Sequence, residues 1–493
     1  MTNNNLTTSE RDFFSMIAEA AFANPFSDAR LEIDKKISKS DDRLTSDEIF
    51  IRLTGAVFQK IQDLKNAGKA NLQLYSAKDK IIMTNVLLFE IFHKYFEKLD
   101  ALIIKQLKEG DNACSIEWSD SILKNFIEYG FSETEAIHFF AIFFQLRRAH
   151  YFINSLLVGK SKCMKQLRMN LWNNIFSFNL KWYDKYLNSK MEDFSTLLIG
   201  ETGTGKGSAA FAAGCSGYIP FDKTKKKFVE SFTKVFISIN LSQFSETLIE
   251  SELFGHKKGA FTGAIDSHCG ILSKTSKFGA VFLDEIGEAG IPIQIKLLKV
   301  LQERVFTPVG SHEQIRFSGR VIAATNRPLK DLIENNNRFR RDFYYRLCSD
   351  VIEIPPLRDR IKENPEELNL LTGHIIKKMI CGNEAPPELF DFVGDCLNKN
   401  IDSNYPWYGN VRELEQFVRR IILKGNFEKN NLYDKNSKSD NFIGQVENGL
   451  LNADKLLAGY CSILLKKHKT ISEISKILEL DRRTVKKYSE LIN

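Results

Sequence analysis

Ser195-Thr196-Leu197-Leu198-Ile199-Gly200-Glu201-Thr202-Gly203-Thr204-Gly205-Lys206-Gly207-Ser208 decides how the rest of this chain is read. Its first five residues form a short apolar run ending at a glycine, the pattern of a buried strand. Glycines then alternate with polar residues up to a lysine, and a helix opens. In that setting glycines let backbone N–H groups turn inward around a phosphate, and the helix N-terminus adds the positive end of its dipole. Lys206 is placed to reach the β- and γ-phosphates of a nucleotide. A glycine-rich turn with some other role is the alternative, and the strand before it argues against that. The general pattern closes on Ser or Thr as a magnesium ligand; here Gly207 holds that position and Ser208 lies one further on.

Outward from this loop, apolar runs alternate with helical spacing. Val235 to Ile239, Ala280 to Leu283 and Arg320 to Thr325 read as strands, while Glu246 to Phe254 and Ile293 to Gln302 read as helices. The alternation predicts a parallel sheet covered on both faces. Val281-Phe282-Leu283-Asp284-Glu285 delivers two carboxylates at a strand end, where Asp284 can hold a magnesium ion and Glu285 can polarise an attacking water. Lys223 to Lys227 reads as a solvated charged loop, and the chain after Pro355-Pro356 is helical to about Leu423, as a small lid would be.

Before Leu157 the chain is dense in Leu, Ile, Phe, Lys and Glu, and Pro25 is the sole proline ahead of His150. Ile81 to Leu107 and Glu133 to Leu157 carry apolar residues at three- and four-residue spacing, which predicts an all-α region. Phe139-Phe140-Ala141-Ile142-Phe143-Phe144 is read as core in preference to a ligand pocket or dimer face. His138 and His150 have no partner at metal-ligand spacing and are read as structural or surface residues. The region lacks the strand–helix alternation of a phosphorylated receiver. Residues 427–447 are rich in Asn, Lys, Asp and Ser and read as a linker.

These motifs together closely resemble the central AAA+ domain of bacterial sigma-54-dependent transcriptional activators. The resemblance is carried by residues 200–206, by Glu250-Ser251-Glu252-Leu253-Phe254-Gly255-His256-Lys257-Lys258-Gly259-Ala260-Phe261-Thr262-Gly263-Ala264 and by Phe282-Leu283-Asp284-Glu285-Ile286-Gly287-Glu288. It continues through residues 296–303, Ala323-Ala324-Thr325-Asn326-Arg327, residues 339–347 and Gly409-Asn410-Val411-Arg412-Glu413-Leu414, covering roughly residues 157–424. The hexapeptide Gly259 to Ala264 is its most specific part.

The resemblance implies an ATP-hydrolysing machine with Mg2+ as cofactor, in which Gly200 to Ser208 and Arg412 bind the nucleotide. It implies catalytic work for Asp284, Glu285, Asn240 as a switch that holds Glu285 until the nucleotide state changes, Asn326 as a γ-phosphate sensor, and Arg340 and Arg346 as fingers reaching a neighbouring subunit. A finger supplied in trans implies a ring, and the family suggests a hexamer. Arginine suits the task because it stays charged and offers planar donors to phosphoryl oxygens; a surface salt bridge is the alternative for either residue alone. The loop Gly259 to Ala264 would contact sigma-54, with Phe261 and Thr262 at its tip, helped by a second loop at residues 306–318. The family usually has Glu where this chain has Gly207, and Pro where it has Tyr408.

Residues 471–488 read as a helix, a tight turn and a second helix, with Ile474, Ile477 and Leu478 facing Val485. Arg482, Arg483, Thr484, Lys486 and Lys487 would be exposed for double-stranded DNA. This resembles the Fis-like helix-turn-helix that ends many family members; an amphipathic pair without a DNA role is the alternative. The expected organisation is a helical regulatory region at 1–156, an α/β ATPase subdomain at 157–355, its helical lid at 356–425, a linker at 426–447 and a DNA-binding end at 448–493. The expected partner is the sigma-54 RNA polymerase holoenzyme.

Composition is compatible with this reading. The 493 residues are 43% hydrophobic and 27% charged with a net charge of +7, too long for one core and too apolar for wholesale disorder. Eight scattered cysteines form no CxxC pair, so reduced thiols are expected. With no apolar run of about 18 residues and a polar start, a cytoplasmic protein is expected. Two rivals share much of the pattern: a DNA-binding regulator that keeps the fold as a nucleotide sensor, towards which Gly207 leans, and a remodeller of some other protein.

Overall fold

The computed structural model describes residues 6–41, 43–328, 330, 339–380, 385–402, 405–425, 446, 449, 451–467 and 470–490. Nine strands appear among them: β1 (Thr196–Ile199), β2 (Phe221–Asp222), β3 (Lys227–Phe228), β4 (Phe236–Asn240), β5 (Ala280–Asp284), β6 (Val305–Phe306), β7 (Ile315–Arg316), β8 (Arg320–Thr325) and β9 (Asp350–Glu353). Five form one sheet in the order β4-β5-β8-β1-β9, every neighbouring pair parallel. The other four make two short antiparallel hairpins, β2-β3 and β6-β7. Register sets Ile199 beside Thr325 and Asn240 beside Asp284, so the strand ends gather along one edge, where ligands of open α/β sheets bind.

Side chains alternate across this sheet as the pleat requires. Leu198, Phe282, Ile322 and Ala324 enter one core, and Leu197, Leu283, Val321 and Ala323 the other. The first of these cores is shared. Every regular element described before Leu157 is helical, and those helices and one sheet face bury their apolar residues in a single cluster.

Helix Glu133–Leu156 makes the join. Phe140, Phe143 and Phe144 are buried, as expected of core residues; Phe143 packs within the helical layer on Phe92 and Phe126, but Phe140 and Phe144 pack on the α/β region. Phe144 stacks on Phe228 with ring centroids 4.4 Å apart, and Phe140 meets Phe221 at 4.8 Å. Helix Lys206–Gly214 accepts this layer closely because its buried face is alanine: Ala209, Ala210, Ala212 and Ala213. His138 is structural, 2.6 Å from Asp184 Oδ1 and 3.2 Å from Tyr218 Oη. The lysines read as a solvated loop sit in the β2-β3 turn, where Lys223 pairs with Glu133 and Lys226 with Asp120. That turn therefore latches onto the helical layer.

Beyond the sheet, helices Leu357–Glu363, Glu366–Met379, Pro387–Asn400 and Asn410–Lys424 occupy the region expected to be a lid. The chain divides into two compact units, residues 1–395 with 401–422, and residues 396–400 with 423–493. The linker expected at 426–447 lies outside the described residues except for Val446. In the second unit, helices Ala453–Lys467, Ile471–Leu478 and Arg482–Glu490 bury Leu464, Ile474 and Val485 together. Ile477, expected to face Val485, is 47% exposed; the buried stripe runs through Ile471, Ile474 and Leu478, a three- and four-residue spacing that leaves Ile477 to one side. Among the described residues no helix is long and apolar enough to cross a membrane.

Candidate functional site

The loop after β1 wraps a cavity of about 860 Å³ lined by residues 202–208, Asn240, Asp284, Glu285 and Arg412. Gly203 and Gly205 have φ of +80° and +108°, left-handed values that glycine adopts without penalty. A Cβ at Gly203 would stand 2.2 Å from Gly409 O, so the loop and the lid touch at backbone distance there. Gly207 is different: it is exposed, and a Cβ on it would meet nothing within 4 Å. Lys206, 7% exposed, donates to Gly200 O at 2.8 Å and Glu201 O at 3.1 Å. Burial lowers its pKa, and the nearby charges of Glu285 and Asp284 work against that fall.

The acidic strand end faces Lys206 across this cavity. Glu285 has φ +55°, an uncommon conformation for a residue with a side chain and one that recurs at functional sites. Its Oε2 accepts from Asn326 N–H at 3.4 Å. Its pKa is raised, first by desolvation, with Lys206 opposing. Asp284 Oδ1 accepts from Glu285 N–H at 3.0 Å. Asn240 does not reach Glu285; its Nδ2 donates to Asp284 Oδ2 at 3.5 Å. Asn326 Nδ2 donates to Thr202 Oγ1 at 3.4 Å, which sets this residue beside the phosphate loop. Two carboxylates and the hydroxyl of Ser208 around one lysine are the hard oxygen donors that suit Mg2+ beside phosphate.

Sequence reasoning missed how the lid closes the loop. Glu201 is held by Arg358, whose Nη1 donates to Oε2 at 2.8 Å and Nη2 to Oε1 at 2.5 Å, and by Asn410 Nδ2 at 3.1 Å. These contacts, Arg358 first, lower its pKa. Asn410 also donates to Thr202 O at 3.1 Å, and Val411 N–H to Gly203 O at 3.1 Å. The Glu201 carboxylate is thus committed to the lid. The cavity is also walled by Leu156, Leu157 and Val158, from the end of helix Glu133–Leu156 and just after it.

Arg340 and Arg346 stand apart from this cavity. Arg340 forms a two-point pair with Asp342 at 3.0 and 2.7 Å, and Arg346 Nε donates to Leu301 O at 3.0 Å. Neither contributes to the wall that holds Lys206.

Residues 259–264 fold into a closed loop. Gly259 N–H donates to Ala264 O at 2.9 Å and Ala264 N–H to Phe261 O at 3.0 Å, with φ of +78° at Gly259 and +99° at Gly263. Phe261 is 43% exposed at the tip, its ring edge-on to His256 at 4.9 Å. His256 is fixed in turn by Ser251 Oγ at 2.7 Å and Asp266 O at 3.0 Å. The neck is tied to the chain between β6 and β7: Lys257 N–H donates to Val309 O at 3.0 Å, and Val309 N–H to Gly255 O at 2.9 Å. A Cβ on Gly310 would fall 2.7 Å from that of Ala260, so the two surface loops stand in contact.

In the second unit Arg482, Arg483, Lys486 and Lys487 are exposed on helix Arg482–Glu490. Thr484 is half-buried and spends its hydroxyl on Asp481 Oδ2 at 2.5 Å. The helix start is capped by Asp481, whose Oδ1 accepts from the backbone N–H groups of Arg483 and Thr484 at 2.7 and 3.1 Å.

Residues 180–354 match the family model described as the Sigma-54 interaction domain. Regulatory protein AtoC of Escherichia coli (strain K12) is 38% identical over 229 residues, 46% of this chain and 45% of AtoC. The Sigma54-dependent transcriptional regulator SfnR of Pseudomonas fluorescens (strain Pf0-1) is 38% identical over 252 residues, 50% of this chain and 62% of SfnR. The Nif-specific regulatory protein of Azotobacter vinelandii is 35% identical over 281 residues, 56% of this chain and 46% of that protein. The chain therefore spans about half the length of the curated relatives it matches. A crystal structure of NtrX from Brucella abortus in complex with ADP aligns with a TM-score of 0.41 at 17% identity, covering 76% of this chain and 80% of that one.

Proposed function

We propose, for a chain that carries a Sigma-54 interaction domain over residues 180–354, that it hydrolyses ATP in a hexameric ring and uses the work to open promoters held by sigma-54 RNA polymerase. Residues 157–355 and 356–425 act as ATPase subdomain and lid, the helical region 1–156 regulates them, and the helix-turn-helix within 448–493 binds enhancer-like DNA. Such work belongs in the cytoplasm.

The phosphate loop and Lys206 bind the β- and γ-phosphates, and Arg412 approaches them from the lid. Glu285, desolvated and oriented by Asn326 N–H, takes the proton of the attacking water. Asp284 and Ser208 would hold Mg2+, which when bound neutralises charge on the phosphate oxygens. Arg340 and Arg346, clear of their own subunit's cavity, act on a neighbour's nucleotide, so hydrolysis requires assembly. Asn240 relays nucleotide state from Asp284 towards the loop at 259–264, and Phe261 grips sigma-54. Arg482, Arg483, Lys486 and Lys487 meet DNA, with Thr484 at the helix start.

The observation that carries this reading is that one α/β unit holds both the cavity around Lys206, Asp284 and Glu285 and an exposed phenylalanine loop tied by backbone hydrogen bonds to its neighbour. ATP turnover measured against protein concentration tests the assembly step. Specific activity should rise steeply with concentration in the native chain and stay flat and low in Arg340→Ala. A constant specific activity in both would overturn the shared-site reading.

A further inference from the structure

The helical layer does more than cover the sheet. Helix Glu133–Leu156 lies against helix Lys206–Gly214, which begins at the phosphate loop. The three carbonyl groups that follow this second helix are all occupied by two side chains of the first. Arg148 Nη1 donates to Cys215 O and Nη2 to Gly217 O, each at 2.8 Å, and Gln145 Nε2 donates to Ser216 O at 2.9 Å. Gln145 is steadied by Tyr183 Oη at 2.6 Å, and the Arg148 guanidinium lies 4.8 Å from the Phe144 ring centroid and 5.6 Å from that of Phe232. Both side chains are 0% exposed.

A charge so deeply buried is costly unless its donors are satisfied. Here they are satisfied by carbonyl oxygens at the negative end of a helix dipole, where a cation is favoured. The opposite end of that nine-residue helix is the phosphate cradle, about 13 Å away at 1.5 Å per residue. Leu156, at the end of the same N-terminal helix, reaches the side wall of the nucleotide cavity.

We infer that Gln145 and Arg148 are positioning residues for ATP: by fixing the carbonyls behind helix Lys206–Gly214 they set where the phosphate loop stands, giving the N-terminal layer a direct hold on nucleotide affinity. This rests on the reading of the cavity as an ATP site. A shift of helix Glu133–Leu156 along its axis moves the phosphate loop from behind and the cavity wall from the side, so a signal received by the N-terminal helices needs no separate relay.

The test is the affinity of the full chain for Mg-ATP, by calorimetry, in Arg148→Lys, Gln145→Leu and the control Arg147→Lys. Arg147 is the adjacent residue and is also buried, but it pairs with Asp100 within the helical layer, Nη2 to Oδ2 at 2.7 Å. Its loss costs stability without touching the phosphate loop. Arg148→Lys and Gln145→Leu should each weaken ATP by about tenfold, the equivalent of roughly one buried hydrogen bond. Arg147→Lys should bind as the native chain does, even if it melts lower.

Equal dissociation constants in all three variants would overturn the inference and leave the ATP site standing. Failure of the native chain to bind Mg-ATP would remove the site reading and the inference with it. Should Arg148→Lys not fold, Gln145→Leu decides: native affinity there overturns the proposal.

Discussion

The amide of Asn240 turns to Asp284 and not to Glu285, its Nδ2 lying 3.5 Å from Asp284 Oδ2, while its Oδ1 accepts from the backbone N–H of Ser242 at 2.9 Å and the hydroxyl at 2.7 Å. The register of β4 against β5, which sets the two residues side by side, imposes this. Glu285, one residue past the strand in a left-handed conformation, is left to the backbone of Asn326.

Glu285 should therefore be the group whose loss stops chemistry and spares binding. Glu285→Gln is expected to lower ATP turnover by about a hundredfold or more, the usual contribution of a general base, with ATP still bound in equilibrium dialysis. Desolvation raises its pKa in the folded chain, so folding favours the protonated form. The stability this group contributes is whole below its unfolded pKa and is lost as pH rises through the folded one. Glu285→Gln should consequently melt above the native chain near pH 7, with the gap closing towards about pH 4, where a free Glu also protonates. A melting difference independent of pH would remove the desolvation argument.

Glycines 203 and 207 should respond oppositely to a methyl group. Gly203→Ala meets Gly409 O at 2.2 Å at a φ of +80°, and neither the lid backbone nor the left-handed turn can yield cheaply. ATP binding should fall below detection. Gly207→Ala enters open space near the start of a helix, and it should bind ATP as the native chain does and gain up to about 1 kcal/mol of stability. Loss of binding in Gly207→Ala would mean that the bare backbone at 207 serves the nucleotide directly.

Removal of residues 1–156 should not yield a freed ATPase. It would uncover Phe221, Phe228 and the alanine face of helix Lys206–Gly214, which are buried in the shared core, at about 1.5–3 kcal/mol for each large side chain exposed. The truncated chain is expected to aggregate, or to lose its near-ultraviolet circular dichroism while keeping helix content. A soluble fragment with a cooperative melt would contradict the shared core.

Much of the α/β region was legible because its signals are local. Glu246 to Phe254 and Arg320 to Thr325 become a helix and a strand over those same residues, since a helical face and a buried apolar run announce themselves by spacing. The β2-β3 hairpin was not legible, because two-residue strands leave no periodicity. Neither was the partner of the Phe139 to Phe144 run: an apolar face declares that it will be buried, not against what. The tie between Glu201 and Arg358 spans 157 positions and has no sequence pattern at all. Ile477 was misjudged because its helix buries only one stripe.

The most direct test of the account couples two readings on one protein, the full chain with Phe261→Ala: ATP turnover, and open-complex formation by sigma-54 RNA polymerase at a promoter it controls. Phe261 lies at an exposed loop tip and takes no part in the wall around Lys206. Turnover should remain near the native rate while open complexes disappear. Native levels of open complex in Phe261→Ala would contradict the claim that this loop is where the motor meets sigma-54.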